Sequence, residues 1–265
     1  MGTENHVLSS TLKLLTPPSS LKPIARCSPT SSTSTPPLSY AATQSVIQNS
    51  GVIACLRASS AELAYEAASI ALTGGISALE ITMSTPGVFE ALGQLVLEHP
   101  YSVLGVGTVL NVKDARKAVD IGAKFLMSPA TVQDIMDDFR ASDILYIPGA
   151  MTPTEILSAY NGGAKLVKVY PVSTLGGVKY ISALSKSFPH IPLVASQGVT
   201  TDSIGDFINC GASAVVLSGA IFCKPLLERK DFEKIHKLAR FASMKGKEAV
   251  KQNLVNDKNE FRQRS

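Results

Sequence analysis

Four glycines punctuate the chain at nearly regular intervals, and this recurrence narrows the architecture more than any other feature. Gly75-Ile76, Gly122-Ala123, Gly163-Ala164 and Gly211-Ala212 each end a stretch with apolar residues at helical spacing and precede a short apolar run. Glycine at such a point closes a helix in the left-handed conformation without a Cβ penalty. The four stand 47, 41 and 48 residues apart, and each interval has the length of two β/α units. The spacing therefore predicts eight units. Their candidate strands are Gly51–Arg57, Ala78–Met83, Val103–Val109, Phe125–Ser128, Leu145–Pro148, Leu166–Tyr170, Leu193–Ser196 and Ala214–Leu217. Helical patterns such as Ala61–Leu72 and Val88–Leu97 lie between them. Helix starts are expected at Ser59/Ser60, Ser84/Thr85, Asn111, Thr152 and Thr201/Asp202. The expected class is α/β, a (β/α)₈ TIM barrel. A doubly wound open sheet is the alternative, but it calls for G-x-G-x-x-G after the first strand. Only Gly105-Val-Gly107 approaches that pattern, and it lies inside the third strand.

Composition supports one large core: 45% of the 265 residues are hydrophobic and 17% charged. The net charge of +4 belongs to the ends. Residues 228–265 hold eleven basic and six acidic side chains, whereas the stretch between residues 41 and 227 holds 11 basic and 14 acidic. That distribution argues against a nucleic-acid partner. No apolar run reaches the ~18 residues of a membrane span, so no membrane partner is expected. Cys27, Cys55, Cys210 and Cys223 include no C-x-x-C and read as reduced intracellular thiols.

The N-terminal segment differs in kind. It is rich in Ser, Thr and Pro, and between Glu4 and Glu62 it has no acidic residue. This composition resembles a chloroplast transit peptide; without targeting the protein would be cytoplasmic. The expected organisation is a disordered segment over 1–44, a barrel over 45–250 and a basic tail over 251–265.

Reacting groups of a TIM barrel project from the C-terminal ends of its strands, so polar residues inside apolar runs are the candidates. Lys168 stands in Leu166-Val-Lys-Val-Tyr170. Strand alternation puts Leu166, Lys168 and Tyr170 on one face and Val167 and Val169 on the other, which aims Lys168 into the barrel. Burial disfavours the charged form of an amine, and the neutral amine is the form that attacks a carbonyl. Glu80, in Leu79-Glu-Ile-Thr82, is the matching carboxylate, suited to pairing with the lysine or moving protons. Thr108 closes the third strand beside two glycines that let a ligand approach the backbone. Arg57 ends the first strand with a guanidinium able to clamp a carboxylate or phosphate. None of the four histidines suits a metal site or a triad, so no metal is expected.

Together these residues resemble the 2-dehydro-3-deoxy-6-phosphogluconate (KDPG)/4-hydroxy-2-oxoglutarate (KHG) aldolase family. The resemblance spans about Ser50 to Cys223 and rests on Leu79-Glu-Ile-Thr82, Gly105-Val-Gly-Thr-Val-Leu110, Ser128-Pro129, Ile147-Pro-Gly149, Lys168-Val-Tyr-Pro171 and Gly176-Gly177. With the transit-like segment it is similar to a plant-like member. It implies a metal-free, cofactor-free class I aldolase, usually a homotrimer, acting on a small 2-oxo acid. Lys168 would form the Schiff base and Glu80 would be the general acid/base. Thr108 would hold the pyruvate carboxylate, Arg57 would match the strand-1 arginine of the family's Leu-Arg-Gly motif with Ala58 in place of its Gly, and Pro129 and Tyr170 would line the pocket, Tyr170 in place of the usual Phe. The distal end departs from the pattern. Ser84 stands where many members have Arg or Asn, Ser196-Gln197-Gly198 replaces a Gly-Gly phosphate loop, and Ser218-Gly219-Ala220 replaces a Gly-Gly-Ser region. Gln197 crowds a phosphate cradle, which needs close backbone N–H groups.

The reading is a lyase that cleaves a 4-hydroxy-2-oxo acid to pyruvate and an aldehyde. Two rivals stand beside it. A phosphate-binding barrel isomerase or synthase predicts an intact phosphate loop and no need for the lysine. A catalytically degenerate barrel that binds a metabolite or protein partner predicts no oxo-acid chemistry at all.

Overall fold

The computed structural model describes Gly2 and residues 39–264, with side chains of the last helix described to residue 256. Nine parallel strand segments run in chain order: β1 Val52–Leu56, β2 Ala78–Thr82, β3 Val103–Gly107, β4 Phe125–Met127, β5 Leu145–Ile147, β6 Gly149–Ala150, β7 Val167–Val169, β8 Leu193–Ser196 and β9 Ala212–Leu217. The helices are α1 Tyr40–Ser50, α2 Ala61–Thr73, α3 Val88–Glu98, α4 Val112–Ile121, α5 Gln133–Phe139, α6 Pro153–Asn161, α7 Val178–Ser187, α8 Ile204–Asn209, α9 Lys224–Glu228 and α10 Phe232–Arg264, with a 3-10 turn at Val172–Leu175. The ladder order β5-β4-β3-β2-β1-β9-β8-β7-β6 starts and ends on two halves of one stave. Pro148 separates them. Lacking an N–H, it interrupts the ladder, and the chain changes partners there: β5 pairs with β4, β6 with β7. Eight staves thus close into the expected (β/α)₈ barrel.

Alternation along the strands builds two cores. Outward residues such as Ala54, Leu79, Val106, Leu126, Val167 and Val215 pack under the helices. Inward residues, including Ile53, Ala78, Val103, Phe125, Leu145, Leu166, Val194 and Ala214, fill the barrel's lower half. Burying each large aliphatic or aromatic side chain contributes roughly 1.5–3 kcal/mol. Helix α1 stoppers the floor. Its Thr43, Ile47 and Ser50, at i, i+4 and i+7, are buried, and Ile47 joins the inward cluster. No apolar run of the sequence signals this helix, since Val46 and Ile47 are its only large aliphatic residues.

The punctuating glycines behave as their position demands. Gly75, Gly122, Gly163 and Gly211 have φ of 102°, 121°, 111° and 105°. The expected caps at Ser60, Asn111 and Thr152 accept hydrogen bonds from Leu63, Asp114 and Glu155 N–H groups, and Thr152 with Glu155 completes a capping box. Two starts differ. Helix α3 begins after Gly87 rather than at Ser84/Thr85, because the Ser84–Pro86 stretch forms a turn first. Helix α8 begins after Ser203, one residue beyond Thr201/Asp202, which join a turn with Thr200.

Both expected boundaries move outward. Ser39 caps α1 at Tyr40, inside the segment 1–44 expected to be disordered; most of the transit-like segment lies outside the described residues. Helix α10 runs past residue 250 to Arg264, through the expected tail, whose composition contains no Gly or Pro to stop it. Among the described residues no helix is long and apolar enough to cross a membrane.

Candidate active site

The barrel interior changes character with height. Below, the inward positions are apolar. At the strand C-termini they become Cys55, Glu80, Thr82, Lys168 and Ser196, and these line an open cavity of about 590 Å³. Arg57, Thr108, Pro129, Tyr170, Gln197, Gly198 and Gly219 complete its wall. Every candidate site residue from the sequence except Ser84 is therefore brought together. Ser84 stands outside that lining. Strand β2 ends at Thr82 and the chain turns outward, leaving Ser84 exposed on the rim. It reaches the cavity wall only through a 3.0 Å hydrogen bond with the Thr82 hydroxyl.

Lys168 is 6% exposed. Its own N–H donates to Pro148 O at 2.9 Å, so the broken stave anchors the backbone that carries it. Its Nζ stands 5.1 Å from the Tyr170 ring centroid, a cation–π approach. Among the described residues it forms no ion pair. Of the two expectations for Glu80, pairing with the lysine or moving protons, the ion pair is not made among the described residues, although both side chains face the same cavity.

Glu80 is 1% exposed, and its Oε2 has no hydrogen-bond partner among the described residues. A buried carboxylate on a cavity wall is within reach of a substrate hydroxyl and can take its proton. Neighbouring β3 makes room for it. A Cβ on Gly107 would overlap the carboxylate, and a Cβ on Gly105 would stand 2.6 Å from Phe125 Cδ1. The two glycines of the Gly-Val-Gly-Thr stretch thus serve the interior, Gly105 the packed floor and Gly107 the acid above it. Thr108 follows with φ 61°, a left-handed conformation uncommon for a β-branched residue, at the point where the strand enters the cavity rim.

A relay of hydrogen bonds braces this rim from behind. Val132 N–H donates to Tyr146 Oη at 3.1 Å, Tyr146 O–H to Ser128 Oγ at 3.0 Å, and Ser128 O–H to Val109 O at 2.6 Å. Burial pushes the Tyr146 phenol above its ordinary pKa, so it remains a donor. Tyr146→Phe strands the Val132 N–H and removes the donor to Ser128 Oγ, while the Ser128–Val109 bond remains. A loss of about 1–3 kcal/mol in denaturant unfolding is expected; unchanged stability would remove the relay from the account.

At the far end, Gln197 has φ 82° and Gly198 φ 75°. Ser173 O–H donates to Gln197 Oε1, and a Cβ on Gly198 would strike Ser173. The loops after β7 and β8 are thereby locked together, with the Gln197 side chain lying where the loop closes.

Several wall residues carry no assigned role from the sequence: Cys55, and Thr82, Ser196 and Ser218, which stand there only as parts of longer motifs. The alternation rule that found Lys168 covers the first three, since each lies on the inward face of its strand. A Cys or Thr in an apolar run simply passes for core. Chemically, the cavity offers a buried amine without an ion-pair partner, a buried carboxylate with a vacant oxygen, and a rim guanidinium.

The sequence profile of the KDPG and KHG aldolase family matches residues 43–238. The KHG/KDPG aldolase of Escherichia coli K12 is 27% identical over 201 residues, covering 75% of this chain and 93% of that one. The 2-dehydro-3-deoxy-phosphogluconate aldolase of Pseudomonas aeruginosa is 29% identical over 169 residues, covering 64% and 77%. Among solved structures, the KDPG aldolase of Legionella pneumophila, with pyruvate captured as a covalent carbinolamine, superposes with a TM-score of 0.70 at 25% identity, covering 75% of this chain and 96% of that one. That of Zymomonas mobilis gives 0.68 at 27% identity, covering 76% and 96%. With a barrel of this form, a cavity of this composition and a profile that covers most of its length, the chain belongs to the KDPG and KHG aldolase family.

Proposed function

We propose that this protein is a class I, metal-independent aldolase that cleaves a 4-hydroxy-2-oxo acid to pyruvate and an aldehyde. The observation that carries the reading is Lys168, a buried amine without an ion-pair partner among the described residues, on the wall of an open cavity that it shares with Glu80. The carbinolamine trapped in the Legionella relative has the chemistry such an amine would perform.

Lys168 Nζ attacks C2 of the substrate, and the carbinolamine loses water to give a protonated imine. Glu80 accepts the proton of the C4 hydroxyl. The C3–C4 bond breaks, its electron pair flows into the imine, and the aldehyde departs. The resulting enamine takes a proton at C3, and water hydrolyses the imine to release pyruvate and the free lysine. Arg57 and Thr108 hold the substrate carboxylate, and Tyr170 and Pro129 wall the pyruvyl end. No cofactor is needed, because the imine is itself the electron sink.

The distal end favours a substrate without a phosphate. The Ser173–Gln197 link fills the loop at which a phosphate would need close backbone N–H groups. Assembly as a homotrimer and residence in the chloroplast belong to the same reading, on the resemblance and on the N-terminal composition.

The test is borohydride reduction after incubation with pyruvate, followed by peptide mass spectrometry. An adduct on Lys168 is expected; folded protein that traps neither pyruvate nor longer 2-oxo acids would favour the non-catalytic barrel. Glyoxylate and glyceraldehyde 3-phosphate, offered with pyruvate in the reverse direction, then separate a carboxylate-ended from a phosphate-ended partner.

A further inference from the structure

Thr85 is buried in the connection from β2 to α3, yet the reaction just described gives it nothing to do. It is 2% exposed. The sequence marks it as a helix start, but α3 begins after Gly87 with no side-chain cap, so capping does not account for its hydroxyl.

The hydrogen bonds of Thr85 run in three directions. Its N–H donates to Thr82 O at 2.9 Å, where the chain turns off β2. Its carbonyl accepts from Val88 N–H at 3.2 Å, at the first residue of α3. Its Oγ1 accepts from Ala58 N–H at 3.2 Å, across to the loop that follows β1. A second approach ties the same two loops together. A Cβ on Gly87, whose φ is 69°, would stand 2.7 Å from Ala61 Cβ at the start of α2.

Ala58 follows Arg57. The bond to its N–H therefore fixes the peptide unit that leaves the Arg57 Cα, at the point where the first strand passes into its loop. Arg57 lines the cavity, and its guanidinium forms no ion pair among the described residues. The direction in which its side chain sets out thus depends on that backbone. Ala58 is itself buried, so an N–H stranded there would twist the peptide toward another acceptor.

We propose that Thr85 is a positioning residue for carboxylate recognition: by holding the Arg57–Ala58 peptide, its hydroxyl sets the Arg57 guanidinium to grip the carboxylate of the 2-oxo acid. This rests on the aldolase reading and on Arg57 as a carboxylate ligand within it.

The full chain is compared as wild type, Thr85→Val, Thr85→Ala, Thr85→Ser, Arg57→Ala and the double variant Arg57→Ala/Thr85→Val. Borohydride trapping on Lys168 is measured against the concentration of pyruvate, and of pyruvamide, which keeps the ketone and lacks the negative charge. Thr85→Val keeps the branched shape without the acceptor. It is expected to raise the half-saturating pyruvate concentration about tenfold and to leave that of pyruvamide little changed. Thr85→Ala should do the same, and Thr85→Ser should restore the wild-type value. Half-saturation does not depend on the folded fraction, so a variant that folds poorly still reports. Arg57→Ala should show at least the same loss, and adding Thr85→Val to it should cost nothing more. Wild-type half-saturation for pyruvate in Thr85→Val and Thr85→Ala overturns the proposal. An equal rise for pyruvamide does so too, since it would mark Thr85 as packing alone. A further loss in the double variant, or no loss in Arg57→Ala, would show that Thr85 does not act through Arg57. Wild-type protein that traps no pyruvate sinks the aldolase reading itself, whatever the variants do.

Discussion

Lys168→Ala is expected to leave no borohydride-trapped adduct and to cut aldol cleavage by about 10⁴-fold or more, since it deletes the only group able to form the imine. Lys168 is the sole lysine in the cavity wall among the described residues, so no neighbour can substitute for it. The fold should not suffer. A buried amine without an ion-pair partner is held against its desolvation cost, and replacing it by an apolar side chain of similar length is neutral or stabilising. Lys168→Met should therefore melt at or above the wild-type temperature while being equally inactive. Activity and stability move in opposite directions here, as expected of a site kept for chemistry. A folded Lys168→Ala protein that still turns over would sink the assignment of the nucleophile.

Glu80→Gln should divide the reaction into its two halves. The amide has nearly the same shape and fits the space left by Gly107, but it has no lone pair basic enough to take the C4 hydroxyl proton. A loss of about 10²–10⁴ in kcat is expected, with pyruvate still trapped on Lys168. Wild-type turnover in Glu80→Gln would hand the proton transfer to another group, and loss of trapping would show that Glu80 is also required to form the imine.

Much of this architecture is legible in the chain because its signals are periodic and local. Glycines that must reach positive φ mark where helices end. A polar residue inside an apolar strand reads as an inward-facing group, as Lys168 and Glu80 do. Other parts leave weaker traces. Helix α1 buries one face of mixed composition, so Thr43 and Ser50 serve as core and no apolar stripe announces it. Cys55 sits in Val-Ile-Ala-Cys-Leu, where a thiol is indistinguishable from a small hydrophobe. Ser84 follows its strand by the right number of residues for a rim position, but the direction of the turn decides which way it faces, and that direction depends on packing.

The eightfold alternation, the inward faces of the strands and the presence of an amine and a carboxylate on those faces are legible in the chain alone, because period-two alternation and glycine stereochemistry act within a few residues. How the barrel closes through Pro148, whose carbonyl anchors the neighbouring strand at Lys168, emerges only when the strands pair. Tertiary packing also decided that Lys168 and Glu80 share a cavity without forming an ion pair among the described residues, and that the Glu80 carboxylate lies in the space left by Gly107. Those outcomes depend on register between strands far apart in the chain, and register is set when the whole barrel packs, not by any segment alone.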